Sequence, residues 1–219
     1  MRVKDDGVGV VRATKSTKRV GNSSGGAESR EKIIDAATRL FTQTSFQDVP
    51  VEEIARLAGV AHGLVFHYFG TKAKLYEAVS KIAADRLDQL HIDATRQPRT
   101  PNEKLRAFLV SHMNAVEQRR ADYVFHSRGG GTPAIQAIWE KSRSNAIHLV
   151  LGFFNIEKPS EPLVVATRAW LGFYDELVLE WIQGRRVLPD GVITASLQLF
   201  PVVMAQAHVL GADDAPQSL

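Results

Sequence analysis

Residues 50–74 constrain the fold more than any other part of the chain. They read PVEEIARLAGVAHGLVFHYFGTKAK, and an apolar stripe of Ile54, Ala55 and Ala58 at helical spacing is broken by Gly59. Two helices that cross steeply need a small residue where they touch and a turn residue that tolerates a left-handed backbone. Ala55 and Gly59 meet these two needs. The stretch therefore predicts a helix, a tight turn and a second helix.

The second of these helices, at about residues 61–69, has two chemically different arcs. A helical wheel places Val65, Phe66 and Phe69 on the arc that faces the domain. The opposite arc can face a DNA groove, and it carries Gly63, Leu64, His67 and Tyr68. His62 lies nearer the core side, so packing and DNA contact both remain open for it.

Residues 29–79 resemble the DNA-binding domain of the tetracycline-repressor (TetR) family of bacterial transcription regulators. The match comprises a leading helix EKIIDAATRLFTQ, the helix-turn-helix described above, and AKLYEAV at the start of a long helix. The resemblance implies an all-α fold, with an N-terminal three-helix DNA-binding domain joined by a long helix to a helical ligand-binding and dimerisation domain. It also implies a homodimer that binds a palindromic operator in double-stranded DNA and is released by a small-molecule effector. We expect a repressor.

The resemblance assigns roles to individual positions. In the family, positions matching Tyr68 and Lys72 contact backbone phosphates, and Thr71 is a further polar residue there. Positions in or beside the major groove match His62, Gly63, Leu64 and His67. Relatives usually read Ser-Lys-Gly-Thr where this chain has Ala-His-Gly-Leu at 61–64, so hydroxyls and a fixed cation are missing. We therefore expect more discrimination from apolar contact, such as Leu64 against a thymine methyl.

Charge is distributed unevenly along the chain. The net charge is +3, and residues 1–30 alone carry seven Lys or Arg against three Asp or Glu. Residues 1–28 are also poor in large apolar side chains, which predicts a disordered basic arm. The arm is either a solvated tail or a segment that gains contacts to DNA. We expect residues 29–80 to form the DNA-binding domain and residues 81–219 the effector-binding and dimerisation domain.

The rest of the sequence predicts only helices. A fourth helix is expected at about 71–96, with Thr71 as its N-cap, and the QPRTP segment ends it. Five more are expected at about 102–119, 121–128, 133–154, 161–184 and 190–210. GGGT at 129–132 follows no strand and lacks a Lys-Ser/Thr pair, so it predicts a connection between helices rather than a phosphate-binding loop.

The body of the protein is rich in aromatic residues, which either form plain core or line a ligand cavity. The resemblance implies a cavity between helices for an apolar effector. The first candidates for its lining are Phe108, His112, Tyr123, Trp139, Trp170, Phe173 and Tyr174. The last two helices are too apolar to bury only one face, which predicts a four-helix dimer interface. Its candidate residues are Trp170, Leu177, Trp181, Leu197, Phe200 and Met204.

Several function classes lack sequence support. The chain has no cysteine, its histidines show no metal-ligand spacing, and no nucleophile elbow is present. The longest apolar run, at 163–182, is interrupted by charges, and no apolar run of signal-peptide length precedes residue 29. We therefore expect a cytoplasmic protein that is not an enzyme and has no cofactor, metal or membrane contact. Three alternatives stay open: an activator or co-ligand-dependent repressor, a small-molecule-binding protein with a degenerate DNA-binding head, and a helical enzyme with a convergent polar cluster in its body.

Overall fold

The computed structural model describes residues 22–97 and 100–210, and in these ranges it contains helices and no strand. The helices are α1 (Asn22–Gln43), α2 (Val51–Ala58), α3 (His62–Phe69), α4 (Lys72–Thr95), α5 (Pro101–Glu117), α6 (Arg120–Ser127), α7 (Pro133–Gly152), α8 (Glu161–Ile182) and α9 (Pro189–Ala205), followed by a 3-10 turn (Ala207–Leu210). This confirms the all-α prediction. Each helix expected from the sequence is present, and most ends lie within two residues of the predicted ones.

The start of α1 differs from the sequence prediction. The helix begins at Asn22 rather than near Glu28, so residues 22–28 of the predicted disordered arm are helical. Gly26 lies close to α3, since a Cβ built on it would be 3.3 Å from the Tyr68 hydroxyl. Packing of this turn against α3 outweighs the poor helix propensity of two adjacent glycines. Residues 1–21 of the predicted arm lie outside the described residues.

The first four helices form the head of the molecule around a closed apolar core. Ile33 of α1, Ile54 of α2, Val65 of α3 and Leu75 of α4 are buried together in this core. Gly59 ends α2 in the left-handed conformation at φ 66°, which confirms the turn expected from the sequence. The core thereby fixes α3 on the head with one face turned outward.

Helices α5 to α9 form the body, and α4 joins it to the head. The core of the body includes Leu109 of α5, Ile147 of α7, and Trp170 and Val178 of α8. Asp88 in the second half of α4 accepts hydrogen bonds from Ser142 Oγ at 2.5 Å and Asn145 Nδ2 at 2.6 Å. Helix α4 is therefore anchored to α7 at one end and to the head core at the other. No helix within the described ranges is long and apolar enough to cross a membrane.

Candidate functional site

Helix α3 is held by two residues and presents the rest of its surface outward. Val65 is 1% exposed and Phe69 is 9% exposed, and these residues one turn apart fill the head core. Gly63 and His67 are exposed, and Leu64 and Tyr68 are half-buried. Phe66 is 40% exposed, so its predicted place in the core is wrong. Val65 and Phe69 already fill the core at this point. Phe66 is the next residue after Val65, so its side chain is rotated around the helix to the edge of the core.

His62 lies at the exposed N-terminal end of α3, not on the core side where the helical wheel put it. Its Nε2 atom is 3.3 Å from the Glu52 carboxylate of α2. Its ring also meets the Phe66 ring edge-on, with the centroids 5.1 Å apart. His62 and Phe66 therefore form one exposed aromatic surface, and Phe66 is a residue that the sequence reasoning left out of the candidate DNA contacts.

The two remaining candidate DNA contacts, Thr71 and Lys72, lie at the junction between α3 and α4. The Thr71 hydroxyl accepts a hydrogen bond from the Lys74 N–H at 3.1 Å, so it caps α4 as predicted. Lys72 Nζ donates to the Gln47 carbonyl at 3.2 Å and lies 4.7 Å from the Phe46 ring centroid. Partial burial lowers the pKa of Lys72, and Asp48 opposes this. An ammonium has three donors, so the contact with Gln47 leaves donors for a phosphate.

A cavity of about 390 Å³ lies in the body beneath α4 and is bounded by helices α4 to α8, with Thr38 of α1 also in its lining. Five of the seven candidate ligand residues line it: Phe108, His112, Tyr123, Trp139 and Tyr174. The other two do not. Trp170 Nε1 instead donates to the Ser196 carbonyl at 2.8 Å within the α8–α9 contact, and Phe173 lies exposed on the outer side of α8.

One carboxylate of the cavity wall, Asp175, gathers three partners from different helices. Arg143 approaches it at 2.6 Å, the Tyr123 hydroxyl donates to it at 3.1 Å, and His112 Nε2 lies 3.9 Å away. Burial raises the pKa of Asp175, and the Arg143 guanidinium opposes this shift. The wall is therefore not purely apolar, whereas a cavity for an apolar effector was expected from the sequence.

A second buried carboxylate connects the cavity to the head. Asp122 of α6 accepts hydrogen bonds from the Tyr76 hydroxyl of α4 and from Arg119. Burial raises the pKa of Asp122, and Arg119 opposes this. The Tyr76 ring packs in the head core, 4.9 Å from the Phe41 ring and 4.7 Å from the Phe46 ring. One side chain thus touches both the head core and a residue of the cavity wall.

Three histidines line the cavity, namely His91, His112 and His126, and only His112 was a candidate from the sequence. The His91 ring lies 4.4 Å from Phe108 and is stacked on His112 at 5.5 Å. The His126 ring is stacked on Trp139 at 4.1 Å. Burial lowers the pKa of His112 to about 3 and that of His126 to about 4, with nearby arginines adding to the effect. These imidazoles are therefore neutral near pH 7.

The candidate dimer residues divide into buried and accessible ones. Trp170 is 1% exposed and Phe200 is 5% exposed, because their rings meet edge-on at 4.8 Å inside the core of the protomer. Neither offers surface to a partner, so their assignment to the interface is wrong. Four candidates are half-buried, namely Leu177, Trp181, Leu197 and Met204. The exposed apolar side chains on these two helices are Val165, Phe173 and Val202.

Within the described ranges, no group of three or more histidine, aspartate or glutamate side chains is arranged to hold a metal ion. The three cavity histidines are spread along a row of rings rather than gathered around one point. The histidine Nε2 that comes nearest a carboxylate in the cavity is that of His112, and its 3.9 Å separation from Asp175 reflects a loose contact.

Two family models match the chain. The model described as "Bacterial regulatory proteins, tetR family" matches residues 33–79, and the model described as "Tetracyclin repressor-like, C-terminal domain" matches residues 101–203. Curated relatives include the HTH-type transcriptional regulator BetI of Brucella canis, 36% identical over 88 residues, which are 40% of this chain and 44% of BetI. The regulator AcrR of Shigella flexneri is 29% identical over 105 residues, covering 45% of this chain and 49% of AcrR. The match therefore spans less than half the length of these curated relatives.

Solved structures resemble the chain over a larger share. A tetR-family transcriptional regulator from Streptomyces coelicolor has a TM-score of 0.77 and 27% identity, covering 84% of this chain and 83% of that one. FadR of Bacillus subtilis, solved in complex with stearoyl-CoA, has a TM-score of 0.58 and 18% identity, covering 81% of this chain and 96% of FadR. The latter likeness shows the fold alone. Since the two family models together extend from α1 to α9, the chain belongs to the TetR family of bacterial regulatory proteins.

Proposed function

We propose that this protein is a ligand-responsive transcription regulator that binds a palindromic operator as a homodimer and leaves it when an effector occupies the body cavity. The observation that carries the proposal is the outward face of α3, where His62, Gly63 and His67 are exposed on a helix fixed by Val65 and Phe69. Repression is the simplest outcome of such binding, because a protein seated on an operator blocks other proteins from the same DNA.

In this proposal, two groups of residues share the DNA contact. His62, Gly63, Leu64 and His67 lie in or beside the major groove, and Phe66 adds an apolar contact there. Tyr68, Thr71 and Lys72 bind backbone phosphates. Helix α3 contains neither lysine nor arginine, so we expect discrimination to rest on imidazole and apolar contacts, and affinity for a single half-site to be low.

A homodimer compensates for weak half-sites. Exposed Val165, Phe173 and Val202 on α8 and α9, with half-buried Leu177 and Trp181 beside them, supply an apolar surface for a four-helix interface. Two heads on one two-fold body bind half-sites spaced by about one helical turn, or a multiple of it. Once one head is bound, the second binds at a raised effective concentration.

The contact between Tyr76 and Asp122 supports a route from the cavity to the head. Only two residues separate α3 from α4, and the second half of α4 forms part of the cavity wall. An effector that shifts Asp122 or its partner Arg119 changes what holds Tyr76, and with it the tilt of α4 against the head. An effector that prefers the tilted state lowers operator affinity by the same coupling energy, typically about 1–3 kcal/mol.

The proposal assigns the cavity to binding and not to catalysis. The cavity contains a convergent polar cluster, which the alternative of a helical enzyme requires. However, Asp122 and Asp175 are each paired with an arginine, and the neighbouring imidazoles have pKa values too low for acid-base exchange near pH 7. These pairings favour a site for binding. A DNA-binding role also implies a cytoplasmic protein.

The proposal is tested by selecting bound sequences from random duplex DNA at modest salt, where a low-affinity head still retains its site. We expect a palindromic consensus. Tyr68→Phe and Lys72→Ala should weaken binding to all sequences alike, whereas Leu64→Ala and His67→Ala should alter the preferred sequence. Retention of DNA without a consensus, or no retention, would refute sequence-specific regulation and favour a small-molecule-binding protein with a degenerate head.

A further inference from the structure

We infer that the body cavity binds a molecule with a flat apolar body and an oxygen acceptor, such as a carbonyl, phenol or carboxylate oxygen. The inference rests on the proposed function, since it names the chemical class of the effector. It replaces the purely apolar effector expected from the sequence. Three features of the cavity wall carry it: two buried donors without acceptors, carboxylates that are already paired, and a row of aromatic rings.

The first feature is a pair of buried N–H donors. Trp139 Nε1 and Arg119 Nε are both buried, and neither has a hydrogen-bond partner among the described residues. Both residues line the cavity, and the Arg119 guanidinium carbon lies 5.8 Å from the Trp139 ring centroid. These two groups can only donate. A buried donor without an acceptor is costly, so a ligand that supplies an oxygen to this part of the wall is favoured over one that does not.

The second feature is the pairing of the acidic side chains. Asp122 is paired with Arg119, Asp175 with Arg143 at 2.6 Å, and Glu140 with Arg168 at 2.5 Å. A cationic ligand would have to break one of these pairs to find a counter-charge, leaving an arginine unpaired. The wall therefore disfavours a cation and tolerates a neutral or anionic oxygen.

The third feature is a continuous row of rings along the wall. His126 is stacked on Trp139 with an interplanar angle of 9°, and the Tyr123 ring lies 5.3 Å from His126. The row continues from Tyr123 to His112 at 5.9 Å and ends at His91. Stacked and edge-on aromatic rings of this kind suit contact with a planar apolar body. The volume of about 390 Å³ suits a small molecule of this class.

The Nε2 atoms of His91 and His112 add a second polar position at the far end of the row. Both atoms are buried and have no hydrogen-bond partner within the described ranges, since the 3.9 Å between His112 Nε2 and Asp175 is too long for one. A neutral imidazole nitrogen either donates or accepts according to its tautomer, so this end does not fix the polarity of the ligand. The acceptor requirement comes from Trp139 and Arg119 alone, and we place the ligand oxygen near them.

Matched probes test the inference on the full-length protein by isothermal titration calorimetry. The probes share one ring system: naphthalene has no polar group, 2-naphthol and 2-naphthoate carry an oxygen, and 2-naphthylmethylammonium is a cationic donor. We expect the two oxygen-bearing probes to bind at least about tenfold more tightly than the other two. Equal affinities of the four probes would mean that water satisfies the buried donors, and this result would overturn the inference. Tighter binding of the ammonium probe, or no binding of any probe, would overturn it as well.

A substitution locates the oxygen. Trp139→Phe keeps an aromatic ring and removes the N–H group, so it should reduce the advantage of 2-naphthol over naphthalene by about three- to tenfold. Trp170→Phe is the matched control and should leave the advantage unchanged, because it also removes an indole N–H in the body, one that donates to the Ser196 carbonyl and lies away from the cavity lining. An unchanged advantage in Trp139→Phe would contradict the placement. The titrations use no DNA, so the two proposals can fail separately. A palindromic consensus without a difference in affinity among the probes would refute only the effector class. A difference in affinity among the probes without a palindromic consensus would refute only the proposed regulator function.

Discussion

The head and the body of this protein use their cores in opposite ways. The head core is closed and apolar, with Ile33 and Ile54 fully buried, and the residues proposed to read DNA lie on its outside. The body core surrounds a cavity whose wall includes the buried carboxylate of Asp122 and the nearly buried imidazole of His91, which is 2% exposed. The difference fits the proposed function, in which the head binds DNA with its surface and the body binds an effector in its interior. Tyr76 links the two regions, because its ring packs in the head core and its hydroxyl donates to Asp122 of the cavity wall.

The largest expected effect comes from opening the head core. Phe41 is buried and touches Phe46 and Tyr76, so Phe41→Ala should lower the free energy of unfolding of the head by about 3–5 kcal/mol. Urea unfolding followed by circular dichroism measures the loss. Operator binding should fail in this variant, while binding of 2-naphthoate to the body should persist.

A matched substitution in the body gives the contrast. Leu87→Ala removes a half-buried side chain from a wall that already borders a cavity, so it should cost less than about 2 kcal/mol. Similar losses in the two variants would contradict the distinction between a closed and an open core. Loss of probe binding in Phe41→Ala would show that the body depends on the head for its fold.

The next effect concerns acidic pH and arises from the buried histidines of the body. Burial holds the pKa of His112 at about 3 and that of His126 at about 4, below their ordinary value near 6.5. The unfolded chain therefore binds more protons than the folded chain between pH 6.5 and 4. Stability is fully present above pH 6.5 and is lost as the pH falls, by about 1.4 kcal/mol per pH unit for each histidine. The raised pKa values of Asp122 and Asp175 act in the opposite direction at the acidic end.

The histidine contribution is isolated by comparing variants. His112→Asn removes one titrating group, so its free energy of unfolding should fall by about 2–3 kcal/mol less than that of the parent protein between pH 6.5 and 4.5. His67→Asn, on the exposed face of α3, is the control and should follow the parent protein. Urea unfolding at four pH values provides the slopes. A parental slope in His112→Asn would show that this imidazole accepts its proton without loss of the fold.

A smaller effect tests the link between the two regions. Tyr76→Phe removes the hydroxyl that Asp122 accepts from, and Tyr174→Phe removes one that donates to the Leu109 carbonyl at 2.8 Å inside the body. Each should cost about 1–3 kcal/mol, because each leaves a buried acceptor with one partner fewer. Only Tyr76→Phe should change how strongly a bound probe lowers operator affinity, measured by fluorescence anisotropy of labelled DNA with and without 2-naphthoate. Equal coupling in both variants would remove Tyr76 from the proposed route.

The sequence predicted the helices well because each carries its own local signals. Gly59, Thr71 and the apolar stripe of α2 are read from neighbouring residues, and the structure confirms them. The orientation of α3 was harder. The rotation of this eight-residue helix about its axis is set by only two buried residues. A helical wheel with three apolar residues on one arc therefore could not show that Phe66, rather than one of its neighbours, is exposed. Likewise, the contact of Gly26 with Tyr68 joins residues far apart in the chain, and no local pattern announces it.

The sequence named His112 and Tyr123 as candidate cavity residues, but the pairing of polar groups in the cavity wall could not be predicted. Asp175 meets Tyr123, 52 residues away, and Tyr76 meets Asp122, 46 residues away, so these pairs exist only once the helices have packed. The same reason explains Trp170 and Phe200, which are apolar enough to suggest an interface but fill the core of their own protomer. In contrast, Leu177 and Trp181 are half-buried and lie on the same helix as the exposed Phe173. A dimer interface on α8 and α9 therefore remains a proposal.

The smallest effect compares two helix caps, one at each region. Thr71 caps α4 in the head, and Thr100 caps α5 in the body through a reciprocal capping box with Glu103. Thr71→Ala and Thr100→Ala should each cost about 1 kcal/mol of stability, since each frees one backbone N–H at a helix start. Only Thr71 lies at the proposed phosphate contacts, so only Thr71→Ala should weaken operator binding beyond what its stability loss explains. Thr71→Ser keeps the hydroxyl and should restore both properties. If the two alanine variants bound the operator equally well, the Thr71 hydroxyl would serve the helix alone, and the DNA surface would narrow to α3 and Lys72.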